Sequence, residues 1–199
     1  MVEHGGVRTT ALRPRLRGPT ERRPAVVHRF TRKGPLELMA DLRLQEATDD
    51  HFAWLLGERL APDGLTEAPG GVDERFVISL LRDLTATLRR TGCRSHWLIV
   101  DGGEVVGLCG FKRPPSSSGE AEIGYGVAKS RRGRGYATQA VALMLNKGRQ
   151  EGASTLVAET AIFNPASQLV LERNGFDPAG TRHDSEDGDL ILWAKAVPG

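Results

Sequence analysis

The amino-acid sequence predicts an α/β domain, a mixed central sheet with helices on both faces. Three observations carry this. Stretches that alternate apolar and polar residues take turns with stretches of helical periodicity along most of the chain. Residues 120–142 join a strand to a helix through a basic, glycine-bearing turn. The 199 residues, 39% of them hydrophobic, suffice for one core, and no apolar run approaches the roughly 20 residues that span a bilayer.

Residues 1–33 hold Pro14, Pro19 and Pro24, nine of the 27 basic residues and two of the 25 acidic ones, so this segment carries +7 and the rest −5. Such a stretch buries too little apolar surface to offset its ordering entropy, so we expect a disordered basic extension over 1–35 and a single domain over 36–199. A nucleic-acid or membrane arm would want interleaved aromatics, and a transit peptide would want an amphipathic helix that the prolines oppose. A plain extension is the favoured account, with Met39 an alternative start. The acidic remainder argues against a nucleic-acid-binding domain.

Leu42 to Ala47 alternates as a first strand, and Thr48 or Asp49 can cap a helix through Phe52 and Leu56. A glycine- and proline-rich link over 61–71 precedes a helix over about 73–90, with Val77, Leu80, Leu81, Leu84 and Leu88 as its apolar stripe. Trp97 to Val100 and Val105 to Phe111 flank the hairpin turn Asp101-Gly102-Gly103. Ala121, Ile123, Tyr125 and Val127 then share one face of a strand. Ala137, Ala140, Val141 and Met144 mark the following helix, which Gly148 and Gly152 close. A strand over 154–163, a helix opened by Pro165 and stopped at Asn174-Gly175, and a hairpin over 176–183 and 190–196 complete the order.

The turn over 129–135 has the makings of a phosphate site. The first N–H groups of a helix have no internal partner and carry partial positive charge. This helix starts without the Ser, Thr, Asp or Asn that would ordinarily cap them. The competing motifs fail: there is no Gly-Lys-Ser/Thr of a P-loop, and no third glycine or spaced acid of a dinucleotide fold.

Arg132-Gly133-Arg134-Gly135-Tyr136-Ala137 fits an Arg/Gln-x-x-Gly-x-Gly/Ala loop. Downstream, Asn164-Pro165-Ala166-Ser167 is followed by Val170-Leu171-Glu172-Arg173-Asn174-Gly175-Phe176. The pair resembles the two signatures of the GCN5-related N-acetyltransferase (GNAT) superfamily, and the second is similar in wording to its ribosomal-protein-alanine N-acetyltransferase-like branch. The resemblance implies a GNAT fold, with a mostly antiparallel central sheet flanked by helices. Its fourth and fifth strands (β4/β5 in the family's order) splay apart, here the strand before the loop and that over 154–163. It also implies acetyl-CoA as cosubstrate, no metal, and an amine acceptor, either a peptide N-terminus or a small molecule.

By that resemblance the pyrophosphate would rest on Arg132, Gly133, Arg134, Gly135, Tyr136, Ala137 and Thr138. Lys129 and Arg131 would add charge, Arg131 equally well as a solvated surface group. Val127 and Ala128 would bond the pantetheine arm or the thioester oxygen through their backbone. Asn164 would bond the arm where the strands diverge, or cap the next helix, and Ser167 is a further contact.

Removal of a proton from an ammonium acceptor calls for a base. Glu122 is the first candidate as catalytic residue, with Glu120, Glu159 or a water chain as alternatives and a glutamate merely exposed or bonded to a neighbour as the competing reading. Leu171 stands where the family often has an acidic tyrosine. Tyr136 lies in the loop, and Tyr125 is expected to pack. The segment over 51–75 is expected to wall the acceptor site, with Trp54 in the core or lining it. Cys93 and Cys109 lack metal-ligand spacing and fit reduced thiols in a cytoplasmic protein. Membrane partners are not expected, and a homodimer is left open. A non-catalytic acyl-CoA-binding sensor of the same fold is the rival reading.

Overall fold

The computed structural model describes residues 42–62 and 64–198. The extension expected over 1–35 lies outside them.

The chain runs β1 (Arg43–Glu46), α1 (Asp49–Leu55), β2 (Thr66–Glu67), α2 (Arg75–Arg89), β3 (His96–Asp101), β4 (Glu104–Phe111), β5 (Glu120–Val127), a 3-10 turn (Lys129–Arg131), α3 (Tyr136–Gln150), β6 (Thr155–Ala161), α4 (Pro165–Arg173), β7 (Asp177–Asp184) and β8 (Gly188–Ala196). The main sheet has the order β1-β3-β4-β5-β6-β8-β7, and β2 pairs with β4 off that path. Only β5–β6 and β2–β4 are parallel among the described pairs. The expected α/β, mixed and mostly antiparallel sheet is therefore the observed one.

Each face of the sheet carries its own core. Trp97, Val106, Cys109, Phe111, Ala121, Ile123, Val141, Met144, Leu156 and Leu171 pack together with α3 and α4. Phe52, Leu55, Ile78, Leu98, Val100, Val105 and Leu108 pack on the other face with α1 and α2. Thr48 caps α1: its hydroxyl accepts from the His51 N–H, and its own N–H donates to His51 Nδ1 at 2.9 Å. Trp54 is half-buried against the α1–α2 core and lines neither of the cavities that matter below.

Three sequence expectations shift. The link over 61–71 contains β2, too short for alternation to reveal; it is held because Thr66 and Ala68 N–H groups donate to Gly103 and Val105. The stripe of α2 is rotated, so Ile78 is buried while Leu80 is 57% exposed. Gly148 does not end α3 but lies within it, buried against Leu156; a β-carbon there would sit 2.8 Å from Leu156 Cδ2. Glycine serves here as a close-packing residue rather than a stop.

The feature that positions the site is the parting of β5 from β6. They pair only over Glu120–Thr155, Ala121–Leu156 and Glu122–Val157, whereas β5 stays on β4 from Ile123 through Val127. The Ala128 N–H donates to Val106 C=O and the Lys112 N–H to Glu122 C=O, at 2.9 Å each. Antiparallel ladders alternate bonded and non-bonded pairs, so the even-numbered residues of β5 are the ones bonded to β4. The N–H groups of Tyr125 and Val127 point the other way, toward the edge that β6 has left.

Candidate active site

A cavity of about 390 Å³ occupies the parting. Its lining includes Tyr125, Gly126 and Val127 of β5, the loop residues Arg131, Arg132, Gly133 and Gly135, Tyr136, Ala137 and Thr138 at the start of α3, and Asn164 and Ser167 at the start of α4. Gly133 and Gly135 both have positive φ, 75° and 88°, and a β-carbon on either would meet nothing within 4 Å. Gly135 is the N-cap of α3, and no side chain caps the helix. The uncapped N–H groups, with their share of the helix dipole and two bare glycines beside them, can receive an anionic group at backbone distance. Asn174 Nδ2 ties the end of α4 to Thr138 C=O at 3.0 Å, which holds α4 against the first turn of α3.

The proposed contacts divide. Arg132 lies at the cavity, its Nε donating to Val127 C=O at 3.2 Å. Arg131 lines it too, but Glu104 holds its guanidinium through two bonds of 2.8 and 2.7 Å. Arg134 belongs to the loop and is exposed, outside the lining. Ala128 is buried and outside the lining, its N–H donating to Val106 and its C=O accepting from Arg131, so its N–H is not available to a ligand. Asn164 caps α4, accepting the Ser167 N–H at 3.1 Å, and still lines the cavity. Ala166, Leu169, Val170 and Arg173 also line the cavity, which their place in or beside the second signature did not predict. Their i, i+3, i+4, i+7 spacing puts them on one face of α4, and that periodicity was the readable signal.

Both tyrosines stand where expected, Tyr136 at the loop and Tyr125 packed against the core, and both also line the cavity. Tyr136 is buried and donates its hydroxyl to Asp101 Oδ2 at 2.6 Å, while its backbone stays at the start of α3 in the cavity lining. Tyr125 lines the cavity, its hydroxyl 2.8 Å from Ser167 Oγ. Burial pushes the Tyr125 phenol upward, with the Ser167 bond opposing, so the ring keeps its proton.

None of the three glutamates weighed as base lines this cavity. Glu122 is buried between Lys112 Nζ at 2.7 Å and Arg113 Nη1 at 2.8 Å. It stands four residues before Gly126, about 13 Å along a strand. Glu120 meets Arg113 at 3.4 Å. Glu159 is gripped by Arg182 through two bonds of 2.8 and 2.7 Å, and that bond, ahead of the opposing burial, lowers its carboxyl.

A second cavity, of about 190 Å³, opens on the α2 face of the same strand. Leu108, Gly110, Gly124 and Gly126 form its floor, Val77, Leu81 and Leu84 of α2 its wall, and Asp73, His96 and Lys112 its polar rim. The wall was expected from 51–75, but only Asp73 of that segment contributes. The two cavities share Tyr125 and Gly126. A further cavity of about 360 Å³, along β7 and β8 with Asp177 and Lys195, shares no residue with either. No group of His, Cys, Asp and Glu able to hold a metal occurs among the described residues. No helix among them is long and apolar enough to cross a membrane.

His96 gives the site a pH signature. Burial alone pushes its imidazole down to about 4, with Nδ1 3.0 Å from Thr85 Oγ1 and 3.1 Å from Ser95 Oγ. The unfolded ring titrates near 6.5, so between about pH 6.5 and 4 the unfolded chain binds the extra proton. The stability from burying neutral His96 is complete above about 6.5 and drains as pH falls toward 4, a loss of about 3 kcal/mol. We expect the thermal midpoint by circular dichroism to drop across that window, and to drop less steeply in His96→Gln.

A splayed parallel pair, with a glycine loop and an uncapped helix at its mouth, defines a protein built to hold an anionic, extended ligand between two strands. The acetyltransferase (GNAT) domain model matches residues 40–177, and the chain belongs to that family. It is 37% identical over 103 residues to the uncharacterized N-acetyltransferase YjdG of Bacillus subtilis, covering 50% of this chain and 61% of that protein. It is 30% identical over 116 residues to the ribosomal-protein-serine acetyltransferase of Escherichia coli, covering 55% and 65%. The chain thus spans somewhat under two thirds of these relatives' length.

Among solved structures, RimL, a ribosomal alpha-N-protein acetyltransferase in complex with coenzyme A, superposes with a TM-score of 0.62 at 22% identity, covering 79% of this chain and 95% of that one. The microcin self-immunity acetyltransferase MccE, in complex with acetyl-CoA and AMP, gives 0.60 at 16% identity, covering 79% and 93%. Both share the fold.

Proposed function

We propose that the chain is an acetyl-CoA-dependent N-acetyltransferase that moves the acetyl group directly to a primary amine within a ternary complex. The observation that carries this is the meeting of two cavities at Tyr125 and Gly126, one with anion-binding chemistry and one without. Acetyl-CoA would supply an activated acyl group as a thioester. Gly133, Gly135 and the first N–H groups of α3, at Tyr136, Ala137 and Thr138, would hold its pyrophosphate, with Arg132 and Arg134 giving positive charge. The outward N–H groups of Tyr125 and Val127, with Asn164 and Ser167 opposite, would hold the amide-bearing arm. An N–H in this pair can also stabilise negative charge developing on the acyl oxygen.

The relatives named for N-acetyl transfer support the amine as acceptor, and both a protein N-terminus and a small amine fit that chemistry. Glu122, fixed between Lys112 and Arg113, is in this reading a positioning group for those cations at the acceptor side. The acceptor's proton would leave through the open acceptor cavity to solvent. Tyr125, protonated at neutral pH and lining this cavity, would give a proton to the departing thiolate once it releases the bond it donates to Ser167 C=O at 3.1 Å. The buried, free Cys93 and Cys109 are not nucleophiles: burial raises both thiols.

The test is an acetyl-CoA turnover screen against peptides and small amines, with calorimetric coenzyme A binding in parallel. Free thiol should appear in equal amount with acetylated amine, and mass spectrometry should find no acetylated protein. An acetyl-enzyme would contradict direct transfer. Binding without any turnover would favour a sensor.

A further inference from the structure

The cavity on the α2 face carries a specific charge arrangement. Asp73 is the one carboxylate that lines either of the two adjoining cavities among the described residues. Its Oδ2 lies 3.5 Å from where a β-carbon on Gly126 would be, so it overhangs the point at which the cavities join. Every glutamate weighed as base is in an ion pair, whereas Asp73 is in none among the described residues. Its Oδ1 accepts the neighbouring Glu74 N–H at 2.8 Å, which orients the carboxylate and leaves Oδ2 toward the cavity.

The placement is built by several local bonds. Pairing of β2 with β4 pins the link, and Glu67 Oε1 accepts the Val72 N–H at 2.9 Å to close the turn before Asp73. From the other side, Ser130 donates to Pro69 C=O at 2.7 Å, latching the cofactor loop to the same turn. The rest of the cavity adds little charge. His96 is neutral at pH 7, and Lys112 is matched by Glu122 at 2.7 Å. Leu108, Val77, Leu81 and Leu84 are apolar, Gly124 and Gly126 leave the floor open by having no side chains on that face, and Gly110 makes room for the His96 ring, which a β-carbon there would overlap.

We propose that Asp73 receives the acceptor's ammonium group and that the cavity behind it selects a primary amine bearing one apolar substituent. At about 190 Å³ the cavity is slightly larger than apolar cavities of about 150 Å³ that take up benzene. It therefore takes one leucine- or phenyl-sized group. A long polyamine would leave its further charges against apolar walls, and an acidic amine would meet Asp73 with like charge. The proposal rests on the acetyltransferase reading for the donor and adds the acceptor's chemistry.

The experiment titrates phenethylamine into coenzyme A-saturated protein by calorimetry and measures acetyl transfer to phenethylamine, leucinamide, spermidine and a glutamate-initiated peptide. Phenethylamine and leucinamide should bind and turn over best. Asp73→Asn should weaken phenethylamine binding and raise its KM at least tenfold, with coenzyme A affinity unchanged and Asp73→Glu recovering part of the loss. A preference for spermidine or the acidic peptide, or an Asp73→Asn variant with unaltered amine binding, overturns the proposal. Amine binding that depends on Asp73 without any transfer would leave the subsite standing and sink the acetyltransferase reading instead.

Discussion

Replacing Gly126 by valine should abolish acetyl transfer while leaving the fold and most of the coenzyme A affinity in place. Gly126 sits on the α2 face of β5, bonded through its backbone to β4, and it lines both cavities. Its φ is not positive, so a β-branched residue suits the strand. The new side chain would project toward Asp73, 3.5 Å from its Oδ2, and fill the passage between donor and acceptor. Transfer depends on holding the two reacting groups within about 3–3.5 Å, so one interposed isopropyl group should cost at least a hundredfold in kcat/KM. The pyrophosphate proposed for the loop and the start of α3 would lie away from this change. Coenzyme A binding by calorimetry should therefore fall no more than a few-fold. A Gly126→Val enzyme with near-normal turnover would mean that the acceptor enters elsewhere.

The opposite pattern is expected for Gly135→Val. Here φ is 88°, in the left-handed region where a β-branched residue costs on the order of 1–3 kcal/mol. A β-carbon would meet no protein atom, so the larger effect falls on what the open space is for. Branched carbons would stand between an incoming phosphate and the N–H groups of α3. Coenzyme A affinity should fall at least a hundredfold, and the melting temperature by several degrees. Gly135→Ala separates the two effects, since it keeps most of the backbone strain with less bulk. If affinity falls as far in the alanine variant as in the valine one, the loop's conformation rather than the phosphate's access controls binding.

What could be read from the sequence differed by element, for physical reasons. The strand–turn–helix over 120–142 was legible because its signals are local: alternation, then two glycines, then an uncapped apolar helix. The parting of β5 from β6 followed only through family resemblance, because strand divergence is a property of pairing. The base could not be read at all. Glu122, Glu120 and Glu159 stood out by strand position, yet each is neutralised by a cation contributed from β7 or from the segment after β4. Asp73 lies 53 residues before Gly126 and reaches it through β2, a two-residue strand with no sequence signature. The cavity on the α2 face likewise depends on Gly124 and Gly126 falling opposite Gly110 and Leu108, which the pairings of β4 with β5 decide.

If the two cavities joined at Gly126 are donor and acceptor sites for one reaction, one ligand can occupy both. The most direct measurement is the affinity of a conjugate in which the coenzyme A sulfur is joined through an acetyl linker to phenethylamine. A ligand that spans both cavities should bind at least a hundredfold more tightly than coenzyme A itself, and Gly126→Val should erase that gain. A conjugate that binds no more tightly than coenzyme A would contradict this assignment.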